Sequence, residues 1–327
     1  MSDFLNAISG RKVLFITTKN IDYIRNTQEL RLIREKADTV EVVYSTKKNY
    51  ALRILDVWKQ ISRVKILNSD VVFIGFEPQF VYPFLDRGFR DKTVIADCFI
   101  SVYDTLICDR KNFSAKGLVA KLSHWMDQKT LRGADIIIAD TQEHARYFAE
   151  EFCVPLSKFE VIYLEADKSI YYPRKQNKLD NKFVVLYFGS ILPLQGVDIV
   201  LEAIRVLRER DDIFFDIIGP IPENYQKPIQ TNVHYTEWLQ QEELAEHIAD
   251  ADLCLAGHFN SAIDKAWRTI PGKAYIYEAM NKKMVLGEGK ANRELFVEDG
   301  KHIFAERGNV DALVEAILKG KSDECVN

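Results

Sequence analysis

Two glycines frame a short turn between a predicted strand and a predicted helix. The strand ends at Phe188, Gly189 and Ser190 follow, and Gly196 precedes the apolar run that begins at Val197. Backbone N–H groups in the first turn of a helix have no partner within the helix, so they can bind phosphate oxygens. The segment has neither a Walker sequence nor a G-x-G-x-x-G fingerprint. It therefore predicts either a phosphate-binding turn or an ordinary connection between a strand and a helix.

Residues that could hold a metal ion are scattered along the chain. Asp250-Ala-Asp252 has the D-x-D pattern of some metal sites, but it lies between a predicted helix and a predicted strand, where aspartate is common in turns. The five cysteines have no C-x-x-C spacing, and the six histidines form no cluster with carboxylates. We expect no bound metal, no cofactor and no disulfide framework.

Short β-branched runs alternate with longer amphipathic runs, which is the pattern of parallel sheets covered by helices. The strands predicted in the first half are Val13–Thr17, Thr39–Ser45, Val71–Gly75, Thr93–Asp97, Asp135–Ala139 and Glu160–Leu164. Those predicted in the second half are Phe183–Gly189, Ile213–Gly219, Val233–Thr236, Leu253–Ala256, Met284–Gly287 and His302–Phe304. Ligands bind at the carboxyl ends of strands in open parallel sheets, so residues that follow a strand are candidates for function.

The polar stretch Tyr171–Lys182 contains a proline and no apolar periodicity, which is typical of a linker. The chain is therefore predicted to be an α/β protein with two Rossmann-like, doubly wound domains, residues 1–170 and 183–327, joined by a linker over residues 171–182. A length of 327 residues agrees with two domains that each bury a core.

Composition and charge exclude several functions. With 47% hydrophobic and 28% charged residues, the chain is neither disordered nor collagen-like. A net charge of −4 provides no basic field for phosphates, so no nucleic-acid partner is expected. The longest apolar runs are strand-sized, far short of the ~20 residues of a membrane-spanning helix. The start lacks the apolar core of a secretion signal, so we expect a cytoplasmic protein.

A series of short segments in the second half occurs in a recognisable order. They are Leu186–Ser190, Gly196–Asp198, Ile217–Gly219, Asn232–Tyr235, Ala251–Leu253, Lys273–Met280, Asn292–Leu295 and Gly308–Ile317. Together they resemble the group 1 (family 4) glycosyltransferases of the GT-B fold. A weaker resemblance in the first half covers Gly133–Thr141, Phe152–Pro155 and Val161–Asp167, and Asp97–Leu106 is similar to a loop from one branch of these enzymes.

The resemblance implies that the two domains face each other across a cleft. It also implies a retaining glycosyltransferase of the hexosyltransferase type. The donor is a nucleoside-diphosphate sugar, with UDP or GDP, held by the second domain. The acceptor is a glycan or a lipid-linked molecule held by the first domain. The expected role is surface polysaccharide or glycoconjugate synthesis.

The resemblance assigns the diphosphate of the donor to the turn that contains Gly189, Ser190 and Gly196. The family commonly has a lysine just before this second glycine, where this chain has Gln195. Arg268 and Lys273, which precede and begin a predicted helix, are therefore expected to supply the positive charge. A departing diphosphate needs such stabilisation, which makes Lys273 a candidate catalytic residue.

Three further donor-binding residues follow from the same resemblance. Glu278 matches the second glutamate of the family's E-x7-E motif, which binds the ribose hydroxyls, whereas Ile270 occupies the position of the first. Glu294 matches a position that follows the donor-sugar loop. Trp238 lies in the loop that contacts the nucleobase, and an indole ring can stack on a base. Each of the three also has an ordinary structural explanation. Glu278 would be a solvated helix residue, Glu294 a residue that is favoured at a helix start, and Trp238 a core residue.

Two aspartates of the first domain are candidates for the acceptor site. Asp97 ends a predicted strand, and Asp104 lies in the loop that follows it. Near Asp97 the family often has a histidine, which this loop lacks. The resemblance therefore implies that Asp97 and Asp104 bind or deprotonate the acceptor hydroxyl.

Alternatives to a catalytic glycosyltransferase remain open. Ile270 and Gln195 would also fit a non-catalytic partner subunit, and the same fold carries nucleotide-sugar epimerases. The amphipathic run Tyr50–Ile66 has an apolar face, with Lys59 and Arg63 on the other side. It either packs on the sheet or rests on anionic lipid, so a peripheral location at the inner face of the membrane is the alternative to a purely cytoplasmic one.

Overall fold

The computed structural model describes residues 3–64, 66–109, 113–177 and 182–322. The chain divides into two compact units, Met1–Glu165 and Ala166–Asn327. Residues 178–181 of the predicted linker and Cys325 lie outside the described residues.

The first unit has a parallel sheet of six strands within its described residues. In chain order its elements are α1 (Asp3–Ile8), β1 (Lys12–Thr17), α2 (Ile24–Lys36), β2 (Thr39–Val43), α3 (Tyr50–Ile61), β3 (Val71–Gly75), α4 (Tyr82–Leu85), β4 (Thr93–Asp97), α5 (Leu118–Gly133), β5 (Ile136–Ala139), α6 (Gln142–Glu151) and β6 (Phe159–Val161). The strand order is β2-β1-β3-β4-β5-β6. The order reverses at β1 and β3, where the loops that follow these strands diverge.

The second unit repeats the architecture with a different order. Its elements are β7 (Phe183–Phe188), α7 (Val197–Val206), β8 (Ile213–Ile218), β9 (Val233–Thr236), α8 (Gln241–Asp250), β10 (Leu253–Gly257), α9 (Lys265–Arg268), α10 (Gly272–Ala279), β11 (Met284–Gly287), α11 (Lys290–Arg293), β12 (His302–Ala305) and α12 (Val310–Ser322). The strand order is β12-β11-β10-β7-β8-β9. The order reverses between β7 and β10, which is the place where doubly wound sheets bind ligands.

Continuous apolar strands explain why both sheets are covered on two faces. Every residue of β3 and of β10 is buried, as expected for central strands of a parallel sheet between helices. Side chains fix two helix starts, because Asn49 accepts a hydrogen bond from the Leu52 amide and Thr141 accepts one from the His144 amide. The fold class predicted from the alternating pattern, an α/β protein with two doubly wound units, is confirmed.

Local details differ from the predicted pattern. The helix predicted over Tyr50–Ile66 ends at Ile61, and Leu52 and Leu55 are each 56% exposed. In the predicted linker, Arg174 forms ion pairs with Glu242 and Glu246 of α8, so this part of the linker packs against the second unit. None of the helices in the described residues is both long enough and apolar enough to cross a bilayer.

Candidate functional site

Glycines bring two loops of the second unit into contact at the switch point. Gly196 has φ +66°, and a Cβ there would lie 2.6 Å from the Asn260 backbone nitrogen. The Phe259 amide donates a hydrogen bond to the Gln195 carbonyl over 3.2 Å. A side chain at position 196 would therefore push apart the loops that follow β7 and β10. This explains why glycine stands there.

The ammonium group of Lys273 lies between these loops. The residue belongs to the first turn of α10 and is 6% exposed. Its Nζ is 3.7 Å from the centre of the Tyr187 ring, and it lies 3.3 and 3.2 Å from the positions that a Cβ would take on Gly189 and Gly257. The Nζ has no hydrogen-bond partner. Burial holds the pKa of Lys273 well below its usual value, because no anion compensates the charge.

The first turn of α7 directly follows the loop after β7. Gly196 is the N-cap residue, and no side chain caps the helix. The backbone N–H groups at the start of α7 therefore add partial positive charge beside the switch point. A helix start next to a buried ammonium group favours an anion such as a phosphate.

Arg307 is a second buried cation at this edge, and it was not predicted from the sequence. Its guanidinium donates hydrogen bonds to the carbonyls of His258, over 2.7 Å, and Glu288, and it lies 4.9 Å from the centre of the Trp267 ring. Burial lowers the pKa of Arg307 to about 10. Because the contacts join residues 49 and 19 positions apart, no local pattern in the sequence indicates them.

His258 is a buried neutral histidine between the two cations. Its backbone has φ +57°, and its Nδ1 lies 3.1 Å from the Thr269 carbonyl, to which it donates as a neutral ring. Burial first, and then the charges of Arg307 and Lys273, lower the pKa of His258 to about 3. The histidine therefore remains neutral and adds no further charge to the two cations.

The other predicted donor residues of this unit lie in loops after strands, with one exception. Ser190 follows Gly189 and is exposed, and Arg268 ends α9 half-buried. Glu294 follows α11 and is half-buried. Trp238 follows β9 and is 75% exposed. These residues therefore belong to the carboxyl edge of the sheet, together with Lys273.

Glu278 is the exception. Its carboxylate accepts hydrogen bonds from Lys301 and from His302 Nε2, both over 2.9 Å, and His302 is the first residue of β12. The hydrogen bonds from these two side chains outweigh the effect of burial and hold the pKa of Glu278 below its usual value. The amino ends of parallel strands lie at the edge opposite to the ligand-binding one. Ribose binding by Glu278 stays a prediction, which this placement does not support.

The D-x-D segment has a structural role. Asp252 accepts a hydrogen bond from the Val184 amide over 2.7 Å, and Asp250 accepts one from the Asn177 amide over 2.7 Å. Both carboxylates therefore organise the region where β7 and β10 begin. Among the described residues, His, Cys, Asp and Glu side chains form no group of three that could hold a metal ion.

In the first unit, Asp97 belongs to a buried ion pair. Its carboxylate accepts hydrogen bonds from Arg25, with an Nη2–Oδ1 distance of 2.9 Å, and Glu29 Oε1 lies 3.2 Å from the Arg25 Nε. All three residues are 0% exposed. Burial and the neighbouring Asp97 raise the pKa of Glu29 well above its usual value. The sequence indicated Asp97 from its place after β4 but did not indicate Arg25, which is 72 residues away.

Asp104 is also buried, and it begins a short π-helical turn, Asp104–Asp109, which Asp127 helps to hold in place. Asp127 of α5 accepts hydrogen bonds from the Ser101 hydroxyl over 2.7 Å and from the Tyr103 amide over 2.8 Å. The Ser101 hydroxyl in turn accepts one from the Asp104 amide over 2.9 Å. Asp97 and Asp104 thus lie on one ordered segment at the carboxyl edge of the first sheet. Their predicted roles toward an acceptor stay predictions.

Comparison with known proteins agrees with the resemblance. Residues 182–323 match the family of group 1 glycosyl transferases. No curated protein sequence matches the chain. Most of the second unit is therefore similar to group 1 glycosyl transferases, which confirms the resemblance found in the sequence.

Solved glycosyltransferase structures share the fold over nearly the whole chain. HepE from Anabaena in complex with UDP is 14% identical, with a TM-score of 0.65 over 96% of this chain and 90% of that one. Sucrose-phosphate synthase from Thermosynechococcus elongatus is 9% identical, with a TM-score of 0.69 over 96% and 90%. The lipopolysaccharide outer core galactosyltransferase WaaB is 13% identical, with a TM-score of 0.58 over 96% and 91%. The GT-B fold predicted for this chain is therefore confirmed.

Proposed function

We propose that this protein transfers a sugar from a UDP-sugar to an acceptor hydroxyl, and that the second unit binds the donor. The observation that carries the proposal is the buried ammonium of Lys273, which has no hydrogen-bond partner and lies between the glycines that end β7 and β10. A buried charge is costly unless it is paired. The diphosphate of a nucleotide sugar is an anion that would pair with it.

The position of Trp238 supports a nucleotide in an extended conformation along the sheet edge. Adjacent strands are about 4.8 Å apart, so β9 lies roughly 10 Å from β7. A diphosphate near Lys273 would place the base over β8 and β9, where the exposed Trp238 ring can stack on it. The complexes of HepE with UDP and with UDP-glucose support uridine as the base.

The role of the diphosphate site in catalysis follows from charge. When the bond between sugar and diphosphate breaks, negative charge grows on the leaving group. Lys273 and the amides at the start of α7 would stabilise this charge, with Arg268, Ser190 and Glu294 on the adjoining loops. We infer transfer with retention at the anomeric carbon, as the resemblance implies.

The acceptor side of the reaction is assigned to the first unit. We propose that the segment from Asp97 to Asp104 contacts a glycan or lipid-linked acceptor, and that Asp97 positions this segment through its ion pair with Arg25. A role in surface polysaccharide or glycoconjugate synthesis, at the inner face of the membrane, would suit such an acceptor.

Calorimetric titration of the full chain with UDP and with GDP tests the donor proposal. We expect UDP to bind in the presence of EDTA, because helix amides and lysine meet the phosphate charge without a metal ion. Lys273→Met should abolish most of the binding. Lys283→Met is the matched control, because Lys283 is a half-buried lysine of the same unit that donates to the Gly320 carbonyl.

Three outcomes would contradict the proposal. Loss of UDP binding in EDTA would show that a metal ion is required. Equal UDP affinity of the Lys273→Met and Lys283→Met variants would show that Lys273 does not bind the diphosphate. Turnover of a UDP-sugar into its epimer with no acceptor present would identify an epimerase instead.

A further inference from the structure

The start of α2 and the end of β4 bring three ionisable side chains together in the interior of the first unit. Arg25 and Glu29 lie one helical turn apart on α2, and Asp97 ends β4. Since all three are 0% exposed, one guanidinium group faces two carboxyl groups away from solvent. If both carboxyl groups were ionised, one buried negative charge would be unbalanced.

Arg25 directs its hydrogen bonds to partners other than Glu29. Its Nη2 and Nε donate to the two carboxylate oxygens of Asp97 over 2.9 and 3.4 Å, and its Nη1 donates to the Ile162 carbonyl. Glu29 Oε1 lies 3.2 Å from the same Nε, but among the described residues no group donates a hydrogen bond to either Glu29 oxygen. An ionised Glu29 would therefore share the Arg25 charge with Asp97 and lack a hydrogen-bond donor, which is costly for a buried carboxylate.

Asp97 can accept a hydrogen bond from a protonated Glu29. Burial, the charge of Asp97 and a hydrogen bond between the two carboxyl groups all raise the pKa of Glu29. Two carboxyl groups form a hydrogen bond only when one of them carries a proton. Gly75 at the end of β3 leaves room for Glu29, since a Cβ there would lie 3.2 Å from Glu29 Oε2.

The neighbouring ionisable groups leave Arg25 as the cation that acts on Glu29. Asp140 already has a partner, because its Oδ1 lies 2.6 Å from His144 Nδ1. Burial first, and then the charge of Asp97, raise the pKa of Tyr23 to about 12, so its hydroxyl stays neutral. The other charged groups beside Tyr23 are Lys19, whose Nζ lies 5.3 Å from the centre of the Tyr23 ring, and Glu77.

We propose that Glu29 is a positioning residue, which keeps its proton and donates it in a hydrogen bond to Asp97. This hydrogen bond ties α2 to the end of β4, where the segment from Asp97 to Asp104 begins. Loss of the proton would place two carboxylates side by side and loosen this segment. The protonation of Glu29 is independent of the proposed function, whereas its consequence for an acceptor rests on that function.

Urea unfolding of the full chain between about pH 5 and pH 8 tests for the proton. Unfolded glutamate has a pKa of about 4.3, so Glu29 should release its proton on unfolding and stability should fall as pH rises toward the raised pKa. The unfolding constant of the wild type, divided by that of Glu29→Gln, should rise by up to about tenfold per pH unit in this range. Asp127, with its pKa raised by burial to about 6, titrates in the same range but is common to both proteins.

Glutamine is the informative replacement because it cannot ionise, while its amide can donate to Asp97 in place of the proton. Glu35→Gln is the matched control, since Glu35 is an exposed glutamate on the same helix. This control should leave the pH dependence of unfolding as it is in the wild type.

Amide hydrogen exchange tests whether the hydrogen bond positions the segment. Glu29→Met keeps a similar side-chain length and removes the donor. Amides in residues 98–108 should exchange about tenfold faster in Glu29→Met than in Glu29→Gln at the same pH, because a hydrogen bond to a charged group has been lost. Amides of the second unit should exchange equally in the two variants.

Two results would overturn the proposal. A ratio of wild-type to Glu29→Gln unfolding constants that does not change with pH would show that Glu29 is ionised in the folded protein. Equal exchange of residues 98–108 in the glutamine and methionine variants would show that the hydrogen bond does not position the segment. Neither measurement uses UDP, so failure here is distinguishable from failure of the proposed function.

Discussion

Replacing Lys273 by methionine should change stability and donor affinity in opposite directions. Methionine has a similar length and no charge, so it can fill the space over Tyr187 and between Gly189 and Gly257. In the unliganded protein, the wild-type Nζ is a buried donor without an acceptor. Such a group typically costs about 1–3 kcal/mol, so the unliganded Lys273→Met variant should be more stable by about that amount.

The same substitution should weaken UDP binding. A hydrogen bond to a charged group contributes about 1.5–3 kcal/mol, which corresponds to a loss of roughly 10- to 150-fold in affinity. Most point mutations destabilise a protein. A gain in stability with a loss of affinity would identify a site in which binding, not folding, requires the charge.

The pKa of Lys273 gives the prediction a pH dependence. Burial lowers the pKa in the folded, unliganded protein, and a bound diphosphate would raise it again by placing negative charge nearby. UDP binding should therefore take up a proton between these two pKa values, and affinity should fall as pH rises through this window. The folded state also binds fewer protons than the unfolded state, so the Lys273 contribution to stability should increase with pH up to the unfolded pKa near 10.4.

Calorimetry in buffers of different ionisation enthalpy measures the proton uptake, and thermal unfolding measures stability. Stability should be taken from the thermal unfolding transition that UDP shifts, because that transition belongs to the unit that binds the ligand. Titrations above about pH 7 avoid the second ionisation of phosphate. Lys273→Arg should bind UDP without proton uptake, since arginine stays charged. A Lys273→Met variant that is less stable and binds UDP with unchanged affinity would refute the reasoning.

Three further substitutions separate binding from structure. Trp238→Ala should weaken UDP binding by about 1–3 kcal/mol and Trp238→Phe by less, as measured by calorimetry, if the indole stacks on the base; equal loss in both variants would contradict stacking. Asp97→Ala should destabilise the first unit by up to about 3–5 kcal/mol in urea unfolding, because it removes one of the two carboxyl groups that pair with the buried Arg25, while UDP affinity stays unchanged. Glu278→Gln should change UDP affinity less than twofold in the same calorimetric assay, because Lys301 and His302 occupy its carboxylate; a tenfold loss would restore the predicted ribose contact.

The strands could be predicted because a central parallel strand is apolar along its whole length, as β3 and β10 are. Residues that directly follow strands could be placed for the same reason, and Gly189 and Trp238 lie where this rule puts them. Glu278 is farther from any strand end. It lies near the end of α10, closer to the start of β11 than to the end of β10, and its ribose-binding role came from the resemblance and not from its distance to a strand end.

Contacts between distant segments could not be predicted. Arg25 near the start of α2 meets Asp97 at the end of β4, and Arg307 after β12 meets His258 after β10. The exposed apolar face of α5, with Leu118, Leu122 and Trp125, was missed for another reason. Apolar residues at helical spacing are typical of a buried face, and the sequence gives no sign that the opposite, partly polar face packs inward around Asp127.

Lys273 compensates in the structure for one departure from the family's pattern, the glutamine at position 195. A Cβ on Gly257 would touch both Gln195 Oε1 and Lys273 Nζ, so the two side chains approach the same point from different elements. A lysine on α10 can thus place its charge where a lysine before Gly196 would place it. Since the glycines at positions 189 and 257 leave room for that ammonium group, we interpret Gln195 as part of a rearranged anion site rather than a lost one. A partner subunit without catalysis would have no need to keep a buried, unpaired cation there, because its cost to folding is recovered only when an anion binds.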